Sequence, residues 1–223
     1  NGIIDRAVAG GTDGLSKFTL NGFNTLLILD KEPCKPFDDN RKGLNLGEGA
    51  GYIVLESEDI VNSENKLVYC ELKGYGNAND AFHQTASSPE GEGAVLAMRK
   101  ALANSGLCPE DIDYINAHGT ATANNDVSEG KAIETIFGWE LPLVSSTKSY
   151  TGHTLGASGG IEAVISALSI KEQMLFPNLN FKNRIKELNF SPLTEIVEYN
   201  IRNIISNSFG FGGNNTSLIF SKC

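Results

Sequence analysis

Apolar positions in this 223-residue chain fall into short runs, separated by clusters of glycine, proline and charge. Their spacing switches between strand-like and helix-like periods along the chain. Residues 7–9 (Ala-Val-Ala) predict a buried strand that ends in a turn at Gly10-Gly11. Residues 21–29 carry Phe23, Leu26, Leu27 and Leu29, which fits a short helix or a packed loop. Residues 31–45 are charged and broken by Pro and Gly, the pattern of a surface loop. Gly47, Gly49 and Gly51 lead into a strand at 52–55, and glycines there mark either close backbone packing or a functional turn.

After a polar link at 57–66, residues 67–75 predict a strand with Val68, Cys70 and Leu72 on one side. A polar loop with His83 and Thr85 follows. Residues 93–105 predict a helix with Val95, Met98 and Leu102 as its buried stripe, closed by Gly106. A turn at 109–111 and a strand at 112–117 come next. A helix at 126–137 could be capped by Asn124 or Asn125. An apolar run at 141–144 precedes a loop of small residues, and a helix from 160 to about 173 shows Ile161, Val164, Ile165 and Leu168 on one face. Pro177 bars its continuation. Strands are expected at 196–199, 201–205 and 217–220, the last fed by the glycine-rich turn 207–215. Strands alternating with helices predict an α/β layered fold.

Composition narrows the function. A net charge of -9 argues against nucleic acid as the main partner, which would need a basic face. No apolar run reaches the roughly 18 residues of a membrane span. The four cysteines, Cys34, Cys70, Cys108 and Cys223, are far apart and include no Cys-x-x-Cys pair. That spacing gives neither a zinc site nor a dense disulfide framework, and a reducing cytoplasm is the simplest setting. The chain opens without methionine on an apolar, strand-like stretch, as the middle of a fold would, so a fragment of a longer protein is expected.

Three predicted strand ends carry loops of small residues: His118-Gly-Thr-Ala-Thr122, Lys148 through His153, and Phe209-Gly-Phe-Gly-Gly213. Loops at strand ends of α/β sheets converge on the site. Together they would supply two imidazoles, an ammonium, hydroxyls and free backbone N–H groups. This set suits acyl chemistry at a thioester. Two neutral imidazole donors can hold an enolate oxygen as charge develops, and a neighbouring lysine disfavours protonation of the rings.

Asn116-Ala-His-Gly-Thr-Ala-Thr122, Ser145-Ser-Thr-Lys-Ser-Tyr-Thr-Gly-His-Thr-Leu-Gly-Ala157 and Asn207-Ser-Phe-Gly-Phe-Gly-Gly213 resemble the signatures of β-ketoacyl-[acyl-carrier-protein] synthases. These are elongating condensing enzymes of the thiolase superfamily. Lys35-Pro-Phe-Asp38 with Gly47-Glu-Gly-Ala-Gly51 is a fourth matching piece, so the resemblance covers essentially the whole chain. Two histidines with a lysine point to the elongating branch. The resemblance implies an α/β, thiolase-like fold with α-β-α-β-α layers, built from two similar halves. Residues 1–59 would end the first half and residues 60–223 would form the second.

It also implies roles. His118 and His153 would bind the malonyl thioester oxygen and assist decarboxylation, and Lys148 would set their electrostatics with Glu162 or Glu129 as its carboxylate partner. Asp126 and Glu129 share one helix face, either in support of the site or as a solvated helix start. Thr120, Thr122 and Thr85 would contact the phosphopantetheine arm. Phe211 would gate the acyl and malonyl pockets, within an oxyanion and gate segment of Phe209, Gly210, Phe211, Gly212 and Gly213. Asn116, Glu162, Ser206 and Asn215 resemble a monovalent-cation site. No cofactor is required, and acyl carrier protein and a second copy of the chain are the expected partners.

The departures are as informative. The family's nucleophilic cysteine lies upstream of Ala9-Gly10-Gly11, beyond residue 1, and no cysteine present has its setting. Ala121 stands where serine is common, Ser158 replaces alanine, and Asn214 replaces threonine. Lys31, Lys35 and Arg41 are candidates for meeting an acidic carrier protein. His83 is expected in solvent or at the entrance rather than in the chemistry. The expected function is decarboxylative Claisen condensation in fatty acid biosynthesis. The alternatives are a polyketide or aryl-polyene ketosynthase, or a non-catalytic chain-length partner subunit.

Overall fold

The computed structural model describes residues 3–223. Strands β1 (Arg6–Asp13) and β2 (Gly49–Glu56) pair antiparallel, Arg6 facing Glu56 and Asp13 facing Gly49. The expected turn at Gly10-Gly11 is absent, and β1 runs straight through both. The glycines serve packing instead, since a Cβ on Gly11 would sit 2.0 Å from the Gly156 carbonyl oxygen. Helix α1 (Lys17–Thr25) settles the helix-or-loop question and starts earlier than its apolar residues suggest. Ser16 caps it, Oγ accepting the Thr19 N–H at 3.1 Å.

The loop at 31–45 is not a surface loop throughout. Cys34, Phe37, Asp38 and Leu44 are buried. Its charge is used internally, for the Asp38 carboxylate accepts N–H groups from Asn40 (2.8 Å), Lys182 (2.6 Å) and Asn183 (2.8 Å). Helix α2 (Glu58–Glu64) occupies the polar link.

The remaining strands build a mixed five-stranded sheet in the order β3-β9-β8-β4-β5. These are β3 (Glu71–Asn79), β4 (Tyr114–Asn116), β5 (Leu143–Ser145), β8 (Asn203–Gly210) and β9 (Asn214–Ser221), while β6 (Met174–Leu175) and β7 (Val197–Glu198) form a small separate pair. Strand β4 lies between β8 and β5 and runs parallel to both. The segment Asn207–Phe209 belongs to β8 rather than to a turn.

Helices α3 (Glu92–Ser105) and α4 (Ala123–Phe137) pack together, and α3 lies against β3 and β9. The expected stripe of Val95, Met98 and Leu102 is buried, joined by Ala94, Ala97 and Ala101, and Gly106 ends the helix at φ +73°. Neither Asn124 nor Asn125 caps α4. Thr122 holds the N-cap position, and the Asn124 amide instead brackets the backbone of Ser87.

The short helix α5 (Lys148–Thr151) leads to α6 (Ser158–Glu172), which lies between β8 and the β1–β2 pair. The expected apolar face of α6 is the less buried one. Leu168 is exposed and Ile161, Val164 and Ile165 are half-buried, while Glu162, Ala163, Ser166 and Ile170 are buried. A helix held between two sheets needs small residues where backbones approach, not an apolar stripe. A Cβ on Gly51 would come within 2.4 Å of the Ile161 nitrogen. The layers are thus helices α3 and α4, the large sheet, α6, and the small sheet. This gives four layers of the thiolase-like α-β-α-β-α order. The outer face of β1–β2 stays open, with Val8 71% and Val54 68% exposed.

Gly51→Ala should therefore push α6 off β2 and lower stability by about 2 kcal/mol, read as a lower urea midpoint. Gly14→Ala, with open space around its added methyl, should stay within about 0.5 kcal/mol of the parent.

Candidate active site

The parallel strands β4 and β5 end side by side, and each hands the chain to one histidine. After β4, backbone turns at Gly119 (φ +37°) and Ala121 (φ +66°) double the chain back into α4. Two buried carboxylates on α4 hold that turn. Glu129 accepts the His118 N–H at 2.9 Å and the Gly119 N–H at 2.8 Å, and also the Asn207 amide at 3.2 Å. Asp126 accepts the Ala121 N–H at 3.1 Å and, from the 31–45 loop, the Phe37 N–H at 2.7 Å. Neither is a solvated helix-start residue. Burial pushes the Glu129 carboxyl up to about 7 against the pull of its N–H donors, and it also raises Asp126.

After β5, Lys148 opens α5 and Gly152 releases the chain to His153. The two imidazole rings meet edge to face, centroids 5.2 Å apart and planes at 85°. The Lys148 ammonium lies 3.2 Å from His118 Nδ1 and pairs with Glu162 Oε1, while Glu162 Oε2 accepts the Ser208 hydroxyl at 3.3 Å. Glu162, not Glu129, is therefore the carboxylate partner of Lys148.

These contacts fix the tautomers. An ammonium can only donate, so His118 Nδ1 accepts and Nε2 carries the proton. The Leu155 N–H lies 3.3 Å from His153 Nδ1, and a backbone N–H can only donate, so this ring too is protonated at Nε2. Leu155 reaches that position at φ +48°, a left-handed conformation that non-glycine residues seldom adopt. Burial and then the Lys148 charge depress both rings: His153 falls to about 3 and His118 goes well below the ordinary histidine value. At pH 7 both rings are neutral donors.

Both histidines line one cavity of about 410 Å3. Thr85, Thr120, Thr122, Phe209, Gly210, Phe211 and Gly213 line it as well. Gly212 does not, and its N–H is committed to the Gln84 carbonyl at 2.8 Å. Phe23, Ile28 and Leu44 supply an apolar wall that sequence reasoning did not single out. The half-exposed Phe211 ring stacks on Phe23 at 5.9 Å and 20°. That contact joins residues 188 positions apart, which no local pattern could reveal. His83 is exposed and stands outside the lining, Nδ1 accepting the Thr85 N–H at 3.1 Å.

Other candidates lie elsewhere. The four residues of the suggested cation site do not form one cradle. Asn116 and Ser206 are neighbours across β4 and β8, but the Glu162 carboxylate is taken by Lys148 and Ser208. Asn215 faces Phe209 and Ala78 further along the sheet, and its amide donates to the Gly213 carbonyl. The Asn116 amide donates to the Glu162 carbonyl at 3.4 Å and accepts the Thr147 hydroxyl at the same distance. The Glu162 carboxylate and the Asn116 amide are thus occupied by protein partners. Arg41 is no docking residue either. Its guanidinium is buried, donating to the carbonyls of Asp38, Thr122 and Ala123 beside Asp126. Lys31 is exposed and Lys35 half-buried. Cys34, 3% exposed, gives its thiol to the Lys148 carbonyl at 3.4 Å and does not line the cavity.

Residues 69–182, just over half of the chain, match the family model described as beta-ketoacyl synthase, C-terminal domain, and residues 1–59 match its N-terminal domain. The chain belongs to the β-ketoacyl synthase family. Among relatives it is 41% identical over 230 residues to 3-oxoacyl-[acyl-carrier-protein] synthase 2 of Staphylococcus aureus, covering 99% of this chain and 56% of that protein. It is 43% identical over 235 residues to the mitochondrial 3-oxoacyl-[acyl-carrier-protein] synthase of Arabidopsis thaliana, covering 99% and 51%. Among solved structures, the ishigamide ketosynthase/chain length factor superposes with a TM-score of 0.96 at 33% identity, covering 100% of this chain and 55% of that one. The chain thus spans about half the length of the curated relatives it matches.

The raised Glu129 carboxyl has a consequence for stability. Its folded value, about 7, lies above the ordinary 4.5, so its contribution is full below pH 4.5 and is lost as pH rises through 7. Glu129→Gln should remove that dependence. The stability difference between parent and variant should change by about 2 to 3 kcal/mol between pH 5 and 8, to the variant's advantage as pH rises, as measured by urea midpoints across the range. Parallel pH profiles would contradict it.

Proposed function

We propose that these residues are the histidine-bearing portion of an elongating 3-oxoacyl-[acyl-carrier-protein] synthase, which condenses malonyl carrier protein with an acyl thioester in fatty acid biosynthesis. The observation that carries the reading is the pair of neutral Nε2–H imidazoles, His118 and His153, facing one cavity beside Lys148. Decarboxylation breaks the bond between malonyl C2 and its carboxylate. The electron pair moves onto C2 and the thioester oxygen, and carbon dioxide leaves. Two N–H donors aimed at that oxygen stabilise the charge where it forms. A protonated ring would instead hold the departing carboxylate, and the Lys148 charge works against protonation. The C2 carbanion then attacks the acyl carbonyl, a carbon–carbon bond forms, and the thiolate that carried the acyl chain leaves.

That thiolate is not supplied by any residue lining the cavity, and the activity is proposed for a polypeptide that also carries it. The phosphopantetheine arm would run past Thr85, Thr120 and Thr122, with Phe211 against Phe23 as the gate to the acyl pocket. Residues 1–59 and 60–223 would fall in the two halves of the enzyme. Acyl carrier protein and a second copy of the chain are the proposed partners, and the cytoplasm the proposed setting. Among the described residues no helix is long and apolar enough to cross a membrane. The likeness to the ishigamide ketosynthase/chain length factor supports a polyketide role as the second reading, at lower identity than the 3-oxoacyl-[acyl-carrier-protein] synthase relatives.

In the intact protein, His118→Ala and His153→Ala should each lower malonyl decarboxylation by about a hundredfold or more. Acylation of the nucleophilic cysteine by an acyl thioester should stay measurable. Undiminished decarboxylation in either variant would overturn the reading. Unreduced polyketone products from the parent would favour the polyketide role.

A further inference from the structure

Ser158, which stands where the family's alanine is expected, has its hydroxyl oxygen 3.0 Å from His153 Nδ1. The same oxygen lies 3.1 Å from Thr154 Oγ1. Both hydroxyl residues are buried, Thr154 just after His153 and Ser158 at the first position of α6. A hydroxyl can donate or accept, but the direction here is set by the backbone. The Leu155 N–H already makes Nδ1 an acceptor, so the proton between Nδ1 and Ser158 belongs to the serine. A serine hydroxyl has one proton to give, so Thr154 must be the donor in its contact with Ser158. The order is therefore Thr154 O–H to Ser158 O, and Ser158 O–H to Nδ1.

We propose that Ser158, polarised by Thr154, is a positioning residue for His153, adding a second donor at Nδ1 that keeps the ring proton on Nε2 and strengthens Nε2–H as a hydrogen-bond donor. Hydrogen bonds in series polarise one another, and a donor at one ring nitrogen draws electron density from the other. The backbone contact alone is long and shares the single Nδ1 lone pair, so the serine supplies the closer of the two donors. An alanine at this position would leave Leu155 as the sole anchor of the tautomer. The consequence for catalysis rests on the function proposed above, but the relay itself does not.

The test is Ser158→Ala in the intact protein, a substitution that removes one oxygen and favours the helix. Two readouts are followed. In 15N spectra of histidine-labelled protein, His153 Nδ1 should move downfield toward an unbonded pyridine-type nitrogen. Malonyl decarboxylation should fall about two- to tenfold, in kcat with KM little changed. Thr154→Val should shift the same resonance in the same direction by a smaller amount. An unmoved Nδ1 resonance in Ser158→Ala would overturn the proposal, as would a proton found on Nδ1 in the parent. A moved resonance in a parent protein that does not decarboxylate malonyl thioester would uphold the relay and count against the proposed function.

Discussion

One buried ammonium sets the terms for everything around it. Lys148 is among the largest wholly buried side chains, and a charge so placed is tolerable only if it is paired and hydrogen-bonded. Glu162 provides the pairing and His118 Nδ1 the remaining contact. Those two partners come from α6 and from the turn after β4, elements more than 30 residues apart in sequence. The position of Lys148 thereby fixes both the distance between the central helix and the sheet and the tautomer of one histidine. Structure and chemistry meet in the same contact.

A second set of buried charges does the corresponding work on the other side of His118. Among the described residues Asp126 and Glu129 have no ammonium partner, and the Arg41 guanidinium lies 3.7 Å from Asp126. They are stabilised mainly by backbone N–H groups, which suits a carboxylate whose task is to hold a turn. The turn needs holding because Gly119 and Ala121 both sit at positive φ. A side chain at Ala121 prefers other backbone angles, and the Asp126 acceptor offsets that preference. The His118 ring therefore stands on a loop that is unfavourable by itself and is stabilised from the helix below it.

Much of this was legible in the sequence, and the failures share a cause. Strand-then-helix alternation, the α3 stripe and the Gly106 stop depend on local periodicity and were read correctly. The three small-residue loops were found because histidine, lysine and glycine in such density have few purely structural uses. Errors arose where a residue's environment is set by a distant segment. The charge of the 31–45 loop suggested solvent, yet Asp38 serves the backbone of residues 182 and 183. Arg41 looked like a docking cation and is a buried donor to carbonyls at the start of α4. The apolar stripe of α6 suggested an inward face, but a helix between two sheets buries its small residues wherever backbone comes closest.

The same reasoning explains why the two histidines, alike in sequence setting, are held by different means. His118 is buried and takes its tautomer from a charged side chain behind it. His153 is less enclosed and takes its tautomer from the backbone of a left-handed Leu155 and a serine hydroxyl. Burial depresses both rings, and the Lys148 charge, which acts over distance, adds to that on both. A hydroxyl acts only at contact, and orients the ring without adding charge to the cavity. Were both rings anchored by ammonium groups, the pocket of the proposed synthase would favour the malonyl carboxylate over its loss. In the proposed reaction, one shared charge and one neutral anchor would leave the enolate, not the substrate, as the better-bound species.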